Sequence, residues 1–149
     1  MKPLPHQYIV SLSAHPTGYA QLAAPGLPSL AMAAPMDFDG PGDAWSPEHL
    51  LLASVQSCLL LTFRAVAKAS QLPFVRIDVE TVGTVDKHDG VVRFTEIVLR
   101  PTLTLPPGAN AELAQRILEK SEKSCLVSAS LSTPVRMEPT VVEAAAAVA

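Results

Sequence analysis

Two cysteines in 149 residues are too few for the disulfide framework of a small secreted domain, and a chain of this length can build a core without one. Lysine and arginine number eleven against fourteen acidic residues, a net charge of −3, and are scattered with no run of them. That leaves no electrostatic footprint for nucleic acid or an anionic lipid surface. There is no C-x-x-C pair and no Cys/His spacing of a known zinc site among the two cysteines and four histidines. The N-terminus has no basic segment leading into an apolar stretch and a small-residue cleavage site, so a cytoplasmic protein is expected. Apolar residues make up 48% of the chain, yet Ser54, Gln56, Ser57, Thr62 and Arg64 interrupt the longest apolar run short of the ~20 residues of a membrane span. No internal repeat and no linker-like boundary is seen, so one domain over residues 1–149 is expected.

The stretch Trp45 to Ala69 dominates what is there. Ser46 reads as an N-cap, Pro47 as the first helical residue, and Glu48 as an anion at the positive end of a helix. Beyond them Leu50, Leu51, Leu52, Val55, Leu59, Leu60, Leu61 and Phe63 put apolar side chains on every face until Arg64 and Lys68. The expectation is a helix buried all round, carrying Cys58 at its middle.

Before this helix, Leu4 to Ala14 alternates as a strand, Tyr19 to Ala23 pairs back after the His15-Pro16-Thr17-Gly18 turn, and a third short strand runs from about Leu27 to Met32. Asp37 to Asp43 is a loop by composition. After the helix, Phe74 to Val85 and Val91 to Leu105 are strands joined by a five-residue loop, Asp86 to Gly90, with Pro101 suggesting an edge position or a bulge. Asn110 caps an amphipathic helix from about Ala111 to Lys123, SCLVSASL continues helically, and Pro134 opens a last strand through Val142, followed by an alanine tail expected to fray. The order predicts an α+β fold in which antiparallel sheet and the second helix cover part of the central helix. A second copy of the chain is expected to cover the rest, giving an extensive homodimer interface.

A cysteine in an apolar helix is ordinarily a small hydrophobe. Here Gln56 and Ser57 bring polarity beside Cys58, and Cys125 stands near the end of the other helix with Ser124 and Ser128 around it. Two such thiols, 67 positions apart, form a plausible nucleophile and resolving pair. The run from Gly40-Pro41-Gly42 through Ser46-Pro47-Glu48 and Leu50-Leu51 to Cys58, with Glu119 to Ser128 around Cys125, resembles the two signature segments of the OsmC/Ohr family, osmotically inducible and organic hydroperoxide resistance proteins. The resemblance implies an intertwined α+β homodimer with sites at the subunit interface and a thiol-dependent peroxidase. It implies that Cys58 is oxidised to a sulfenic acid by an organic hydroperoxide, and that Cys125 closes a disulfide which an external dithiol, for example a lipoylated one, reopens. No metal or organic cofactor is implied. Glu48 matches the acidic residue that helps hold an arginine over the thiolate.

Ten residues at ~1.5 Å each put Glu48 ~15 Å along the helix from Cys58, so it acts through a bridging side chain or on the partner subunit's site. The arginine itself is missing: in active members it comes from the N-terminal strands, whereas the first arginine here is Arg64, with Tyr19 or Gln21 in roughly that region. Arg64 lies about 120° around the helix from Cys58. Without the cation, burial is expected to raise the Cys58 pKa. His49, on the face opposite Cys58, reads as a locally hydrogen-bonded residue. The competing reading keeps the fold but makes it a non-catalytic or weakly active dimer that binds a small hydrophobic ligand or senses thiol oxidation.

Overall fold

The computed structural model describes residues 2–145; beyond Ala145 the alanine tail lies outside the described residues. The chain divides into two compact units, one up to Leu51 and one from Leu52 onward.

In the first unit, β1 (Ser11–Ser13), β2 (Ala20–Ala23) and β3 (Leu30–Met32) form an antiparallel sheet in that order, with Ser11 opposite Ala23 and Ala20 opposite Met32. The first strand is far shorter than the alternation from Leu4 suggested. β2 offers only four residues to pair with, so Tyr8, Ile9 and Val10 lie exposed ahead of β1. A 3-10 turn, Met36–Phe38, leads to Gly40, whose N–H donates to the Pro35 carbonyl at 2.9 Å. A Cβ at Gly40 would stand 1.7 Å from the Ala34 carbonyl oxygen, so the close passage of two backbones admits only glycine. The long helix α1 (Pro47–Ala69) then starts as its sequence predicts: buried Ser46 accepts from the His49 N–H through Oγ at 3.3 Å and from the Leu50 N–H through its carbonyl at 3.0 Å.

The second unit contains α1 from Leu52, β4 (Arg76–His88), β5 (Val91–Leu105), α2 (Ala111–Lys123), the short α3 (Leu126–Ala129), β6 (Val135–Met137) and β7 (Thr140–Glu143). The β4–β5 hairpin is longer than predicted. Its turn is two residues, Asp89 and Gly90, both at positive φ (51° and 80°), the type I′ geometry that matches strand twist. β5 is the central strand, antiparallel to β4 and parallel to both β6 and β7. The predicted last strand is therefore two strands, interrupted at Glu138-Pro139, and the sheet is mixed rather than purely antiparallel. Pro101 sits inside β5, neither at an edge nor at the bulge, which falls at Thr84/Val85. Ile97, Leu99 and Leu105 direct their backbone groups toward β6 and β7, to Pro134, Glu138 and Ala144 respectively. By the same period-two alternation Pro101 faces that side, at the step between Leu99 and Thr102 where β6 gives way to β7, so no ladder bond needs its absent N–H.

Val55, Leu59, Phe63 and Ala67 repeat every fourth residue of α1 and are buried to 1% or less. Phe63 and Ala67 pack with Leu103, Leu105, Ala114, Ile117 and Leu118, and Val55 and Leu59 with Ile97 and Leu99. Each large aliphatic or aromatic side chain so covered contributes ~1.5–3 kcal/mol. The opposite sheet face is charged: Arg100 bridges Glu80 and Glu138, and Arg136 bridges Glu138 and Glu96. Within one chain, then, α1 is not buried all round. It buries one stripe, and Leu61 is 63% exposed. By length and composition alone α1 could also cross a membrane, the one such helix among the described residues; the stripe packed on sheet and α2 gives it a core role.

Candidate active site

Both cysteines are free, Cys58 half-buried and Cys125 buried. The fold of the second unit brings them together although 67 positions separate them. α2 ends at Lys123, Ser124 caps it, and Cys125, in an extended conformation (φ −71°, ψ 114°), becomes the N-cap of α3. That break is what matters. A continuous helix would have tied up the next backbone N–H groups, whereas the restart leaves those of Leu126 and Val127 free to point outward.

Cys58 receives them. Burial pushes its thiol up, but hydrogen bonds from the Cys125 thiol, the backbone N–H of Val127 and of Leu126, and the Thr62 hydroxyl together outweigh burial, and the pKa lies below its ordinary value. The expectation that burial would win is thus overturned. Charge at the sulfur is stabilised by backbone dipoles and hydroxyl and thiol donors instead of by a guanidinium. Cys125 behaves oppposite to its neighbour: burial and the interaction with Cys58 raise its pKa, outweighing the Ser128 hydroxyl and N–H. Ser128 Oγ is buried with no partner of good hydrogen-bond geometry while Cys125 is a thiol, and it is the group placed to donate to a Cys125 thiolate. An open cavity of about 430 Å³, lined by Glu122, Lys123, Cys125, Ser128 and Ser132 among others, reaches the Cys125 side of the pair.

The remaining predicted residues lie in the first unit or face elsewhere. Glu48 is half-buried in the first turn of α1, and its Oε2 is buried with no hydrogen-bond partner among the described residues. His49 is held locally, Nδ1 2.9 Å from Ser46 Oγ and its ring edge-on to Trp45. Tyr19 donates to both carboxylate oxygens of Asp43 at 2.8 Å, which raises its pKa, and Gln21 lies exposed in β2. Arg64 is exposed. Among the described residues no group of three or more His, Cys, Asp or Glu is placed to hold a metal ion. Ser128 was read from the sequence as a neighbour of Cys125; Thr62 and the two N–H groups of α3 were missed by sequence reasoning. Helical spacing, i to i+4 from Cys58, could have found Thr62; nothing in the residue types announces the backbone donors.

A fold of sheets and a long helix carrying one thiol against a second at a helix restart is an α+β thiol protein. A family model described as OsmC-like protein matches residues 40–140, and the chain belongs to that family. A curated relative, the uncharacterized protein YmaD of Bacillus subtilis, is 29% identical over 107 residues, 70% of this chain and 71% of its own. Among solved structures, an OsmC-like protein of unknown function from Vibrio cholerae has a TM-score of 0.85 at 16% identity, covering 91% of this chain and 99% of its own. A structure from Elizabethkingia anophelis named an organic hydroperoxide resistance protein has a TM-score of 0.74 at 21% identity, covering 97% and 100%. These likenesses establish the α+β OsmC-like fold.

Proposed function

We propose that the protein is a thiol-dependent peroxidase for organic hydroperoxides, working in the cytoplasm as a homodimer and without metal or cofactor, with residues 1–149 as one OsmC-like domain. One observation carries the reading: two distant cysteines are brought into hydrogen-bond contact with their pKa values moved apart, Cys58 down and Cys125 up. That is the division of labour between a nucleophile and a resolving thiol. The Cys58 thiolate attacks the terminal oxygen of the hydroperoxide, the O–O bond breaks, and the alkoxide leaves and takes up a proton to become the alcohol. Cys58 is left as a sulfenic acid. The Cys125 sulfur then attacks Cys58 Sγ, the sulfenic hydroxyl departs with the Cys125 proton as water, and a disulfide forms. An external dithiol reduces it by two exchange steps, becoming a disulfide itself. The name of the E. anophelis protein supports this substrate class.

A second copy, rather than lipid, is taken to cover the exposed side of α1 around Leu61. Glu48, with its unpartnered buried oxygen, is then the residue that orients a cation at a site shared between subunits, and Arg64 of the partner subunit is the candidate cation. The absence of arginine before Arg64 favours one other reading, a weakly active dimer that senses oxidation through the same disulfide or binds a small hydrophobic molecule. Steady-state consumption of an organic hydroperoxide with several dithiols separates them. Repeated turnover supports the peroxidase, and a single stoichiometric oxidation supports the sensor.

A further inference from the structure

We propose that the cavity between the tip of the β4–β5 hairpin and the segment Ser132 to Pro134 is a carboxylate-binding site, and that it holds the acidic end of a small dithiol whose thiols reach Cys125. The cavity measures about 290 Å³, and its wall carries Arg93, His88 and the hydroxyls of Thr95, Ser132 and Thr133, with no acidic residue among the described ones. Arg93 is the anchor. Arg76, Arg100, Arg116 and Arg136 each pair with a carboxylate, whereas Arg93 pairs with none among the described residues. Its cross-strand neighbour in the ladder is Asp86, an ordinary partner for an arginine. The Asp86 carboxylate instead accepts from the Lys87 N–H at 2.6 Å, and Arg93 donates through Nη2 to His88 Nδ1 at 3.2 Å. Asp89 stands 2.9 Å from the same imidazole nitrogen and makes no bond to the guanidinium. Nε and Nη1 of Arg93 are thus left without a partner among the described residues, and a guanidinium takes a carboxylate through paired N–H groups. Thr95 and Thr133 spend their hydroxyl protons on the carbonyls of Thr84 and Phe94, at 3.3 and 3.2 Å, while exposed Ser132 keeps its own for a ligand.

The adjoining cavity identifies the carrier of that carboxylate. Ser132, Thr133 and Pro134 also line the cavity that reaches Cys125, so the two share a wall three residues long. Three extended residues span at most ~11 Å, and a molecule with a carboxylate at the end of a short chain can occupy both. In the Cys125 cavity Lys123 shares the wall with Glu122, which leaves the uncompensated positive charge with Arg93. The inference rests on the peroxidase reading, in which a dithiol reopens the Cys58–Cys125 disulfide. One thiolate of the dithiol attacks Cys125 Sγ, the bond between the two cysteine sulfurs breaks, and Cys58 leaves. Cys58 has its pKa lowered and Cys125 its pKa raised, so Cys58 is the better leaving group and Cys125 the sulfur to attack. The second thiol then attacks the reductant's own sulfur in the mixed disulfide and releases Cys125. The dithiol ends as a cyclic disulfide, and its two protons pass to the two cysteines.

The disulfide is formed with diamide, so that no peroxidase activity is needed, and its reduction is followed with dihydrolipoate and with dihydrolipoamide, which differ only in a carboxylate against an amide. The parent is expected to be reduced about tenfold faster by the acid, as a charge-assisted hydrogen-bond pair requires. Arg93→Gln, at an exposed position that the fold tolerates, should bring the rate with the acid down to that with the amide. Arg76→Gln removes the same charge at the other end of β4, twelve residues or ~40 Å from His88, and should keep the preference. A parent that takes acid and amide equally, as expected for a dithiol carried in amide linkage on a protein, overturns the proposal. So does a preference that survives in Arg93→Gln or is lost in Lys123→Gln instead, and so does a parent whose cysteines form no disulfide. Hydroperoxide consumption is measured alongside: a parent reduced selectively by the acid that consumes no hydroperoxide overturns the peroxidase reading and leaves the carboxylate site standing.

Discussion

The N–H of Leu126 can be deleted almost without touching anything else, which makes it the sharpest probe of how Cys58 is activated. Leu126 is the first residue of α3, the helical position that tolerates proline best, and its side chain is 73% exposed. Cys125 before it already has the extended conformation that a residue preceding proline adopts. Leu126→Pro should therefore leave the fold intact while removing one donor to the Cys58 sulfur. A hydrogen bond to a charged group is worth ~1.5–3 kcal/mol, and for a half-buried sulfur the low end applies, equivalent to about tenfold in thiolate near pH 7. The sign follows from the direction of the shift. A Cys58 pKa held below the ordinary value means that reaction rises early with pH, and losing a donor delays that rise. Leu126→Pro should react more slowly with hydroperoxide and with iodoacetamide around pH 6 to 7 and match the parent above about pH 10. Leu126→Ala, which keeps the N–H, is the control. Superimposed pH–rate profiles for the proline and alanine variants, with unchanged circular dichroism, would refute the account of a thiolate stabilised by backbone donors.

Three further outcomes are expected. Cys125→Ser should let Cys58 stop at the sulfenic acid, seen by mass spectrometry with a sulfenic-acid trap, and abolish the intramolecular disulfide; Cys58→Ser should end hydroperoxide consumption. Leu61→Lys should shift the protein from dimer to a ~16 kDa species in sedimentation, because it puts a charge on an apolar face that one chain leaves open; an unchanged dimer would place the interface elsewhere. Phe63→Ala, at a site with no exposure and a T-shaped contact to Phe74, should cost ~3–5 kcal/mol in denaturant unfolding.

What was legible in the sequence had local causes. The start of α1 is written in Ser46-Pro47-Glu48, and α2 in Asn110, whose Oδ1 accepts from the Leu113 N–H at 2.9 Å. The errors arose where partners decide. Alternation from Leu4 to Ala14 describes side chains that could line a sheet, but a strand ends where its neighbour ends, and β2 is short. Pro101 argued for an edge because a proline removes a ladder donor; that the donor would fall at the handover from β6 to β7 depends on the break at Glu138-Pro139 between two strands that both run parallel to β5. That one chain covers α1 only in part was expected from its all-round apolar surface; which stripe is covered was not, since composition shows which faces are apolar and not what packs on them.

The candidate site divides the same way, and here the omission changes the chemistry. Cys58 and Cys125 were readable as a pair, and the resemblance supplied an order of events. The missing arginine then argued for a sluggish, protonated Cys58, because a sequence read for charge counts side chains. The backbone carries charge too, as N–H dipoles, and the break between α2 and α3 aims two of them at the sulfur. A donor of that kind stabilises the thiolate without occupying the space above it. A guanidinium would do both, stabilising the thiolate and gripping the peroxide. The two roles are therefore separable in this chain: thiolate formation is provided within the second unit, and in the proposed function gripping the hydroperoxide is assigned to a separate cation beside Glu48. Introducing arginine at Gln21, in the exposed strand β2, is accordingly expected to raise the rate with hydroperoxide while leaving alkylation by iodoacetamide unchanged near pH 7. An equal rise in both rates would mean that thiolate formation had been limiting after all.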